Sequence, residues 1–219
     1  MTYCVLFALT GDWSSEKKFP VYFTGETVHM EASVDHYRPS LRLYVGSCVA
    51  TLTPDVNSHP RYPFIDHRGC FVDSLLSGSR SRFLPRVQDQ LLHIQLQPFL
   101  FHEDHRHNMY ITCYLEASVV SEEEPENRAC SFIIFSSRWR SVDGDDDACE
   151  SCSSTAEYGH KRAQRSQRGH AHETTVGPIV FLPDFHLENI NNWRQTEDTK
   201  EVILLISNTK ANLYLERTF

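Results

Sequence analysis

The chain has 219 residues, which is enough for one large domain or two small ones with a core that folds without metals. Its content of 40% hydrophobic and 23% charged residues is ordinary for a globular protein. The net charge of −8 argues against a nucleic-acid partner, because neutralising phosphates needs a concentrated positive surface.

Short runs that alternate apolar and polar residues dominate the sequence before residue 185. In LLHIQLQPFLF, for example, Leu92, Ile94 and Leu96 share one face of an extended chain, while His93 and Gln95 share the other. A period of two indicates a strand with one solvated face. The predicted strands are CVLFALT (4–10), TVHMEASVD (27–35), LRLYVGSCVAT (41–51), LLHIQLQPFLF (91–101), NMYITCYLEASVV (108–120) and RACSFII (128–134).

These strands are separated by turn residues and lack the spacing of β-α-β units, so they predict an all-β sandwich. From 136 to 175 the sequence is rich in charge, Ser and Gly, which predicts a disordered loop except where Cys149 and Cys152 fix it. The run TVGPIVFLPD then predicts a last, apolar strand. A protease-sensitive basic run, HKRAQRSQRGH, directly precedes this strand.

Seven cysteines allow two interpretations. Cys149 and Cys152 with nearby histidines could hold zinc in a reducing compartment, but zinc sites need a second close pair of ligands. We therefore expect six cysteines in three disulfides, with Cys4 left over, and a folded chain in the secretory pathway or outside the cell. The seven are Cys4, Cys48, Cys70, Cys113, Cys130, Cys149 and Cys152.

The two ends of the sequence lack targeting signals. The start, MTYCVLFALTGDW, has no basic region and no clean apolar run of a signal peptide. The apolar run VILLI near the other end is far shorter than the ~20 residues of a membrane span. We expect a fragment of a longer precursor or a soluble remnant without a transmembrane helix, and the odd Cys4 agrees with a missing upstream partner.

Two further groups of residues are weak candidates for metal binding. His102, His105 and His107 lack the spacing of a metal site and predict a solvated loop. The acidic run 145–147 lacks the Gly and terminal Glu of an EF-hand. No nucleophile elbow, P-loop or HExxH motif is present, so we expect no metal, no cofactor, no small-molecule substrate and no enzymatic activity.

The order of motifs resembles a known family. LRLYVGSCVATLTPDVNSHPRYPFIDHRGCFVDS, YITCYLEAS, ACSF, ACESC and TVGPIVFL follow one another as in the C-terminal half of the zona pellucida (ZP) module, over roughly residues 5–185. Members carry two immunoglobulin-like halves and polymerise into filaments. The resemblance implies an all-β, immunoglobulin-like β-sandwich of the ZP-C type, with a disordered cleavable loop and a C-terminal apolar strand.

The resemblance also implies a division of the chain. Residues 1–20 would be the linker between the halves, and residues 21–153 the ZP-C domain. Residues 154–175 would be the cleavable loop, and residues 176–219 an external hydrophobic patch and a propeptide-like tail. The N-terminal half, which carries much of the polymerising surface in the family, has no counterpart in this sequence.

The resemblance pairs Cys48 with Cys113. For the other four cysteines two patterns stay open: Cys70–Cys130 with Cys149–Cys152, or Cys70–Cys149 with Cys130–Cys152. In either pattern the disulfides are expected to hold the fold.

The family is cleaved at a basic site just before its apolar patch. Here Arg162, Arg165 and Arg168 form two overlapping Arg-X-X-Arg sequences, with cleavage after Arg168 slightly preferred. Gln164 and Gln167 stand where a convertase prefers a basic residue.

Cleavage there would act on two apolar segments. The external hydrophobic patch is Val176, Gly177, Pro178, Ile179, Val180, Phe181 and Leu182; the internal one is Val5, Leu6, Phe7 and Leu9. An apolar strand that fills a sheet position protects an edge, and cutting its tether makes it a dissociable peptide. The freed edge can accept a partner strand.

The expected function is that of a structural constituent of the extracellular egg coat, secreted into that matrix, with a role in sperm binding carried over by resemblance only. Expected partners are other ZP-module egg-coat proteins and a convertase-type protease, with sperm surface proteins as a further candidate. The alternative is a secreted, co-receptor-like module that captures a ligand, or a truncated paralogue that does not polymerise. A co-receptor has no need to eject its last strand.

Overall fold

The structure is a computed structural model that describes residues 3–23, 25–35, 40–101, 108–121, 127–153 and 170–182. Just over half of these residues lie in β-strands. All of these residues belong to the unit Met1–Pro183, and the second unit, Asp184–Phe219, lies outside them. The described elements are twelve β-strands and three short 3₁₀ helices.

The strands in chain order are β1 Tyr3–Leu9, β2 Val21–Phe23, β3 Val28–Asp35, β4 Leu41–Thr51, β5 Arg61–Ile65, β6 Cys70–Phe71, β7 Arg82–Phe83, β8 Leu91–Leu96, β9 Asn108–Val119, β10 Cys130–Ile133, β11 Arg138–Ser141 and β12 His170–Leu182. The 3₁₀ helices are Val72–Leu75, Ile134–Ser136 and Asp147–Ser153.

Two sheets form the sandwich. One has the order β1-β3-β8-β7, and the other has the order β2-β12-β9-β4-β5. Their inner faces share one apolar core, to which both sheets contribute fully buried side chains such as Met30, Ile94, Leu43 and Ile111. The architecture is the all-β sandwich that the strand pattern predicts, in the immunoglobulin-like form that the family resemblance implies.

Alternation explains why these segments form half-buried strands. Along β3, the side chains at 28, 30, 32 and 34 are buried and those between them are half-exposed. In β8, Leu92, Ile94 and Leu96 are buried as predicted, but the strand ends at Leu96 rather than running to 101. Pro98 follows two residues later and cannot donate a ladder hydrogen bond, which accounts for the early end.

The centre of the second sheet is cross-linked. Cys48 of β4 lies opposite Cys113 of β9, and the two form a disulfide with their Cα atoms 4.1 Å apart. This is the pairing that the resemblance implies. Both cysteines lie in the core, so the bridge holds the neighbouring strands β4 and β9 together.

A third, small sheet of order β11-β10-β6 carries the other two disulfides. These join Cys70 to Cys152 and Cys130 to Cys149, so both pairings left open by the sequence are wrong. The reason is geometric. Cys70 and Cys130 are opposite each other in parallel strands, while Cys149 and Cys152 are three residues apart on a 3₁₀ helix and project to one side. Each strand cysteine therefore meets one helix cysteine.

The prediction of a loop over 154–175 is wrong for residues 170–175, because β12 already begins at His170. Residues 170–175 pair with β9 and are part of the sheet. Residues 154–169 lie outside the described residues.

Candidate functional site

Strand β12, the last described strand in chain order, lies between two other strands of its sheet. It pairs antiparallel with β9, from His170 opposite Ala117 to Val180 opposite Asn108. On its other side, its last three residues pair in parallel with β2. We call the space between β2 and β9 that β12 fills the slot. The residues of the predicted external patch, 176–182, form the second half of this strand.

A bulge divides β12 into two halves. The pairing with β9 shifts between Val176 and Ile179, so that Gly177 and Pro178 together lie opposite Tyr110. Gly177 has φ +147°, a backbone conformation that residues with a Cβ rarely adopt. A Cβ there would be 2.7 Å from Cδ1 of Tyr110 and 3.0 Å from the carbonyl oxygen of Met109. Glycine is therefore required where β12 crosses the Tyr110 ring.

Apolar contacts with the core are concentrated after the bulge. The side chain of Ile179 is 0% exposed and that of Phe181 is 4% exposed. Full burial of such side chains stabilises by about 1.5–3 kcal/mol each. Before the bulge, Ala171, Glu173 and Thr175 are exposed. The second half of β12 thus anchors the strand, and the first half is held mainly by its backbone ladder with β9.

Strand β2 completes the slot on the side away from β9. The ring of Tyr22 stacks on that of Phe181 with centroids 6.0 Å apart, and the N–H of Val180 donates to the carbonyl oxygen of Pro20 over 2.9 Å. Burial raises the pKa of Tyr22 to about 12, so its phenol stays neutral at physiological pH. In the described part of the chain, β12 is the only strand that pairs with β2.

Strand β2 and the role of Tyr22 are not predicted from the sequence. Three residues are too few for a period-two pattern to stand out. The available signal was the apolar run FPVYF (19–23) directly after the polar stretch 14–18.

The predicted internal patch lies in β1. Its four residues do not form one apolar face, because Leu6 and Leu9 are buried whereas Val5 and Phe7 are half-buried. Strand β1 belongs to the sheet opposite β12, although the two strands lie close together. The thiol of Cys4, also in β1, is free and buried, and burial raises its pKa to about 11. It is therefore protonated and weakly reactive at neutral pH.

Several predicted residues lie outside the described part of the chain. They are the candidate cleavage residues Arg162, Arg165 and Arg168 and the histidines His102, His105 and His107.

The described residues that suggested metals have other partners. Cys149 and Cys152 are in disulfides, and the carboxylate of Asp146 pairs with Arg140 and accepts the N–H of Ser141. Among the described residues, no cluster of three or more His, Cys, Asp or Glu side chains has the geometry to hold a metal ion. The same described ranges contain no helix with the length and apolar character needed to cross a bilayer.

Comparison with known proteins agrees with this architecture. Residues 3–131 match the zona pellucida family through its ZP-C domain. The chain is similar to zona pellucida sperm-binding protein 3 of Felis catus, with 39% identity over 189 residues, which are 78% of this chain and 45% of that protein. It is also similar to the protein of the same name from Homo sapiens, with 33% identity over 88% of this chain and 50% of that protein. The protein of that name from Gallus gallus is 37% identical over 66% of this chain and 34% of that protein.

The chain therefore spans about half the length, or less, of the curated relatives it matches. The matched region runs from β1 to the start of β10, so it includes every strand of the two sandwich sheets except β12. On the match to residues 3–131 and the sandwich described above, the chain belongs to the zona pellucida family, as a ZP-C domain.

Proposed function

We propose that this chain is a structural constituent of the extracellular egg coat and that it assembles with other ZP-module egg-coat proteins. Membership of the family supports this, and so do three disulfides, which are typical of secreted proteins. Its similarity to proteins named for sperm binding makes sperm surface proteins a further proposed class of partner.

The observation that carries the proposal is the position of β12 between β2 and β9. A strand in this position hydrogen-bonds to β9 from residue 108 to residue 117 and fills the core with Ile179 and Phe181. Without β12, β9 would present a long unpaired edge next to an apolar cavity. Such an edge is a template for strand addition by another chain.

Whether β12 can leave the slot depends on the segment 154–169, which we call the tether. While β12 is joined to the domain through residues 154–169, it re-enters the slot at a high effective concentration. After a cut, β12 becomes a separate peptide and its release is a bimolecular equilibrium. We propose that a convertase-type protease makes this cut at Arg162, Arg165 or Arg168, with Arg168 preferred.

An incoming strand would have to match the slot on both sides. It would pair antiparallel with β9 along its length and parallel with β2 at one end. It would also need large apolar side chains at the positions of Ile179 and Phe181, and a small residue against Tyr110. These demands favour a strand from another ZP-module protein over an arbitrary extended peptide.

The test compares the chain with a matched variant in which Arg162, Arg165 and Arg168 are replaced by Gln. Both are treated with a furin-like convertase and then analysed by native mass measurement after gel filtration, with and without a full-length ZP-module egg-coat protein. We expect the natural chain to be cut, to lose the piece that contains β12 and to bind the partner. The variant should stay whole and unbound.

Two other outcomes would count against the proposal in different ways. If the cut chain keeps β12 and stays monomeric beside the partner, strand release is wrong and the co-receptor-like or non-polymerising alternative gains. If the convertase does not cut, that protease is wrong, and a site for a sequence-specific protease inserted between 162 and 168 then tests strand release alone.

A further inference from the structure

One edge of the first sheet is open in the described part of the chain. Strand β1 is the terminal strand of that sheet and pairs with β3 over its whole length of 7 residues. On its other side, the carbonyl oxygen of Ala8 accepts the N–H of Lys17 over 2.8 Å, and Leu9 forms an isolated bridge with Glu16. The turn after β1 therefore covers only the last part of this edge.

The directions of the backbone N–H and C=O groups show which of them the turn leaves uncovered on β1. Successive residues of a strand direct their N–H and C=O groups to opposite neighbours. Because Ala8 directs its carbonyl away from β3, Leu6 and Cys4 do the same with their N–H and C=O groups. Within the described residues, none of these backbone groups has a hydrogen-bond partner.

The edge also lacks the usual protection against pairing. Natural edge strands carry charges, prolines or bulges that prevent a second chain from adding to them. The sequence of β1, YCVLFAL, has no charge and no proline, and its register with β3 is unbroken. Its outer face presents Tyr3, which is 53% exposed, and the half-buried side chains of Val5 and Phe7.

The open groups are self-complementary about a two-fold axis through Val5. In an antiparallel pair of two β1 strands centred there, Cys4 lies opposite Leu6 of the second copy, and Leu6 lies opposite its Cys4. Each of these pairs can exchange both N–H···O bonds. On the outer face, Tyr3 lies opposite Phe7 of the second copy, and the two Val5 side chains lie opposite each other, as apolar cross-strand pairs do.

The turn after β1 selects this register. Moving the centre to Leu6 would place Cys4 opposite Ala8, whose carbonyl is already bonded to Lys17. Centring on Val5 uses only the backbone groups of Cys4 and Leu6, which the turn does not cover. We therefore propose that the β1 edge is a homotypic contact, through which two copies of this chain pair antiparallel and join their first sheets into one.

This contact is separate from the proposed release of β12. Strand β12 belongs to the other sheet and lies close to β1 without pairing with it. Within the described residues, the backbone groups of Cys4 and Leu6 that face away from β3 are unpaired while β12 fills its slot. Pairing through β1 is therefore expected with the tether intact. Because only five residues of each strand take part, the dimer should be weak and concentration-dependent.

A disulfide trap tests the register. Opposed residues of a non-hydrogen-bonded antiparallel pair have Cα atoms about 4.5 Å apart, which is within the range of disulfides. In the full chain with Cys4→Ala, we expect Val5→Cys to form a symmetric disulfide dimer under mild oxidation. The matched control is Phe7→Cys, on the same face of the same strand, which would lie opposite Tyr3 of the second copy and should cross-link far more slowly.

A charge exchange tests the contact without cysteines. Val5→Asp and Val5→Lys, each alone, place like charges opposite each other and should raise the dimer dissociation constant by about tenfold or more in sedimentation equilibrium. An equimolar mixture of the two uncut variants should recover a heterodimer. The proposal is overturned if the uncut natural chain stays monomeric at every concentration, if Val5→Cys cross-links no faster than Phe7→Cys, or if the mixture does not associate.

Discussion

Gly177 shows how a single residue limits the terminal strand. Its backbone conformation is nearly restricted to glycine, and the space where a Cβ would lie is already filled by Tyr110 and Met109. Gly78 also has a positive φ, of +79°, but nothing lies within 4 Å of its missing Cβ. Gly11 has neither constraint. Comparing substitutions at the three glycines distinguishes the cost of backbone strain from the cost of steric overlap.

Replacing each of these glycines with alanine should therefore give a graded series. Gly11→Ala should change the free energy of unfolding by less than about 0.5 kcal/mol. Gly78→Ala should cost about 1–2 kcal/mol through its backbone conformation alone. Gly177→Ala should cost more than either, about 2–4 kcal/mol, because overlap with Tyr110 is added to the strain. Chemical denaturation measures all three, and equal costs at Gly78 and Gly177 would contradict the close contact with Tyr110.

His29 couples the stability of the first sheet to pH. Its ring packs edge-on against the indole of Trp13, with centroids 4.7 Å apart. Burial lowers the pKa of His29, and the positive charge of Lys17 lowers it further, while a hydrogen bond with the Thr27 backbone acts in the opposite direction. The folded protein therefore favours the neutral imidazole more than the unfolded chain does.

The sign of the pH dependence follows from linkage. The unfolded chain takes up a proton on His29 near pH 6.5, before the folded chain does, so the free energy of unfolding should fall as the pH drops below that value. The loss should be complete once the pH is below the folded-state pKa. His29→Gln should flatten the dependence between pH 7 and 5 relative to the unsubstituted chain. Denaturation at several pH values checks this, and identical curves for the variant and the unsubstituted chain would contradict it.

Strand β12 is held unevenly along its length. In its first half the side chains of residues 171–176 are exposed or half-buried and the β9 ladder holds the strand, whereas its second half has two buried anchors and a second ladder with β2. This asymmetry predicts that the anchors, rather than the longer first half, set how fast a severed β12 leaves the slot. The bulge at Gly177 and Pro178 marks the boundary between the two behaviours.

Ile179→Ala should therefore destabilise the uncut chain by about 2–5 kcal/mol, the usual cost of truncating a fully buried side chain. It should also speed the loss of β12 after the tether is cut. The matched control is Glu173→Ala, an exposed position on the same strand, which should change stability by less than about 0.5 kcal/mol. Similar release rates for the two variants in gel filtration would show that the anchors do not hold the strand.

Much of the sandwich could be predicted from the sequence because its strands have one wet face. The alternation in β3, β8 and β9 depends on local residue order, so it can be read without tertiary information. The short strands β2, β6, β7 and β11 could not be predicted, because two to four residues carry no detectable period. They are fixed by their partners in the folded sheet.

The candidate site shows the same limit. The apolar run 176–182 was visible, but its extension back to His170 was not, because residues 170–175 are polar and depend on the β9 ladder. The pairing of the disulfides in the third sheet could not be predicted from the sequence either. Their pairing depends on a 3₁₀ helix that places Cys149 opposite Cys130 and Cys152 opposite Cys70, and sequence spacing does not contain that placement.

Amide hydrogen exchange along β9, before and after the tether is severed, tests most directly the claim that β12 is a removable strand. In the uncut chain, the amides between Ile111 and Ala117 that face β12 should be protected as strongly as those that face β4. After the cut and gel filtration, the amides facing β12 should exchange much faster, while those facing β4 stay protected. Unchanged protection on both sides, with β12 no longer bound, would contradict the account, because β9 would not owe its covered edge to that strand.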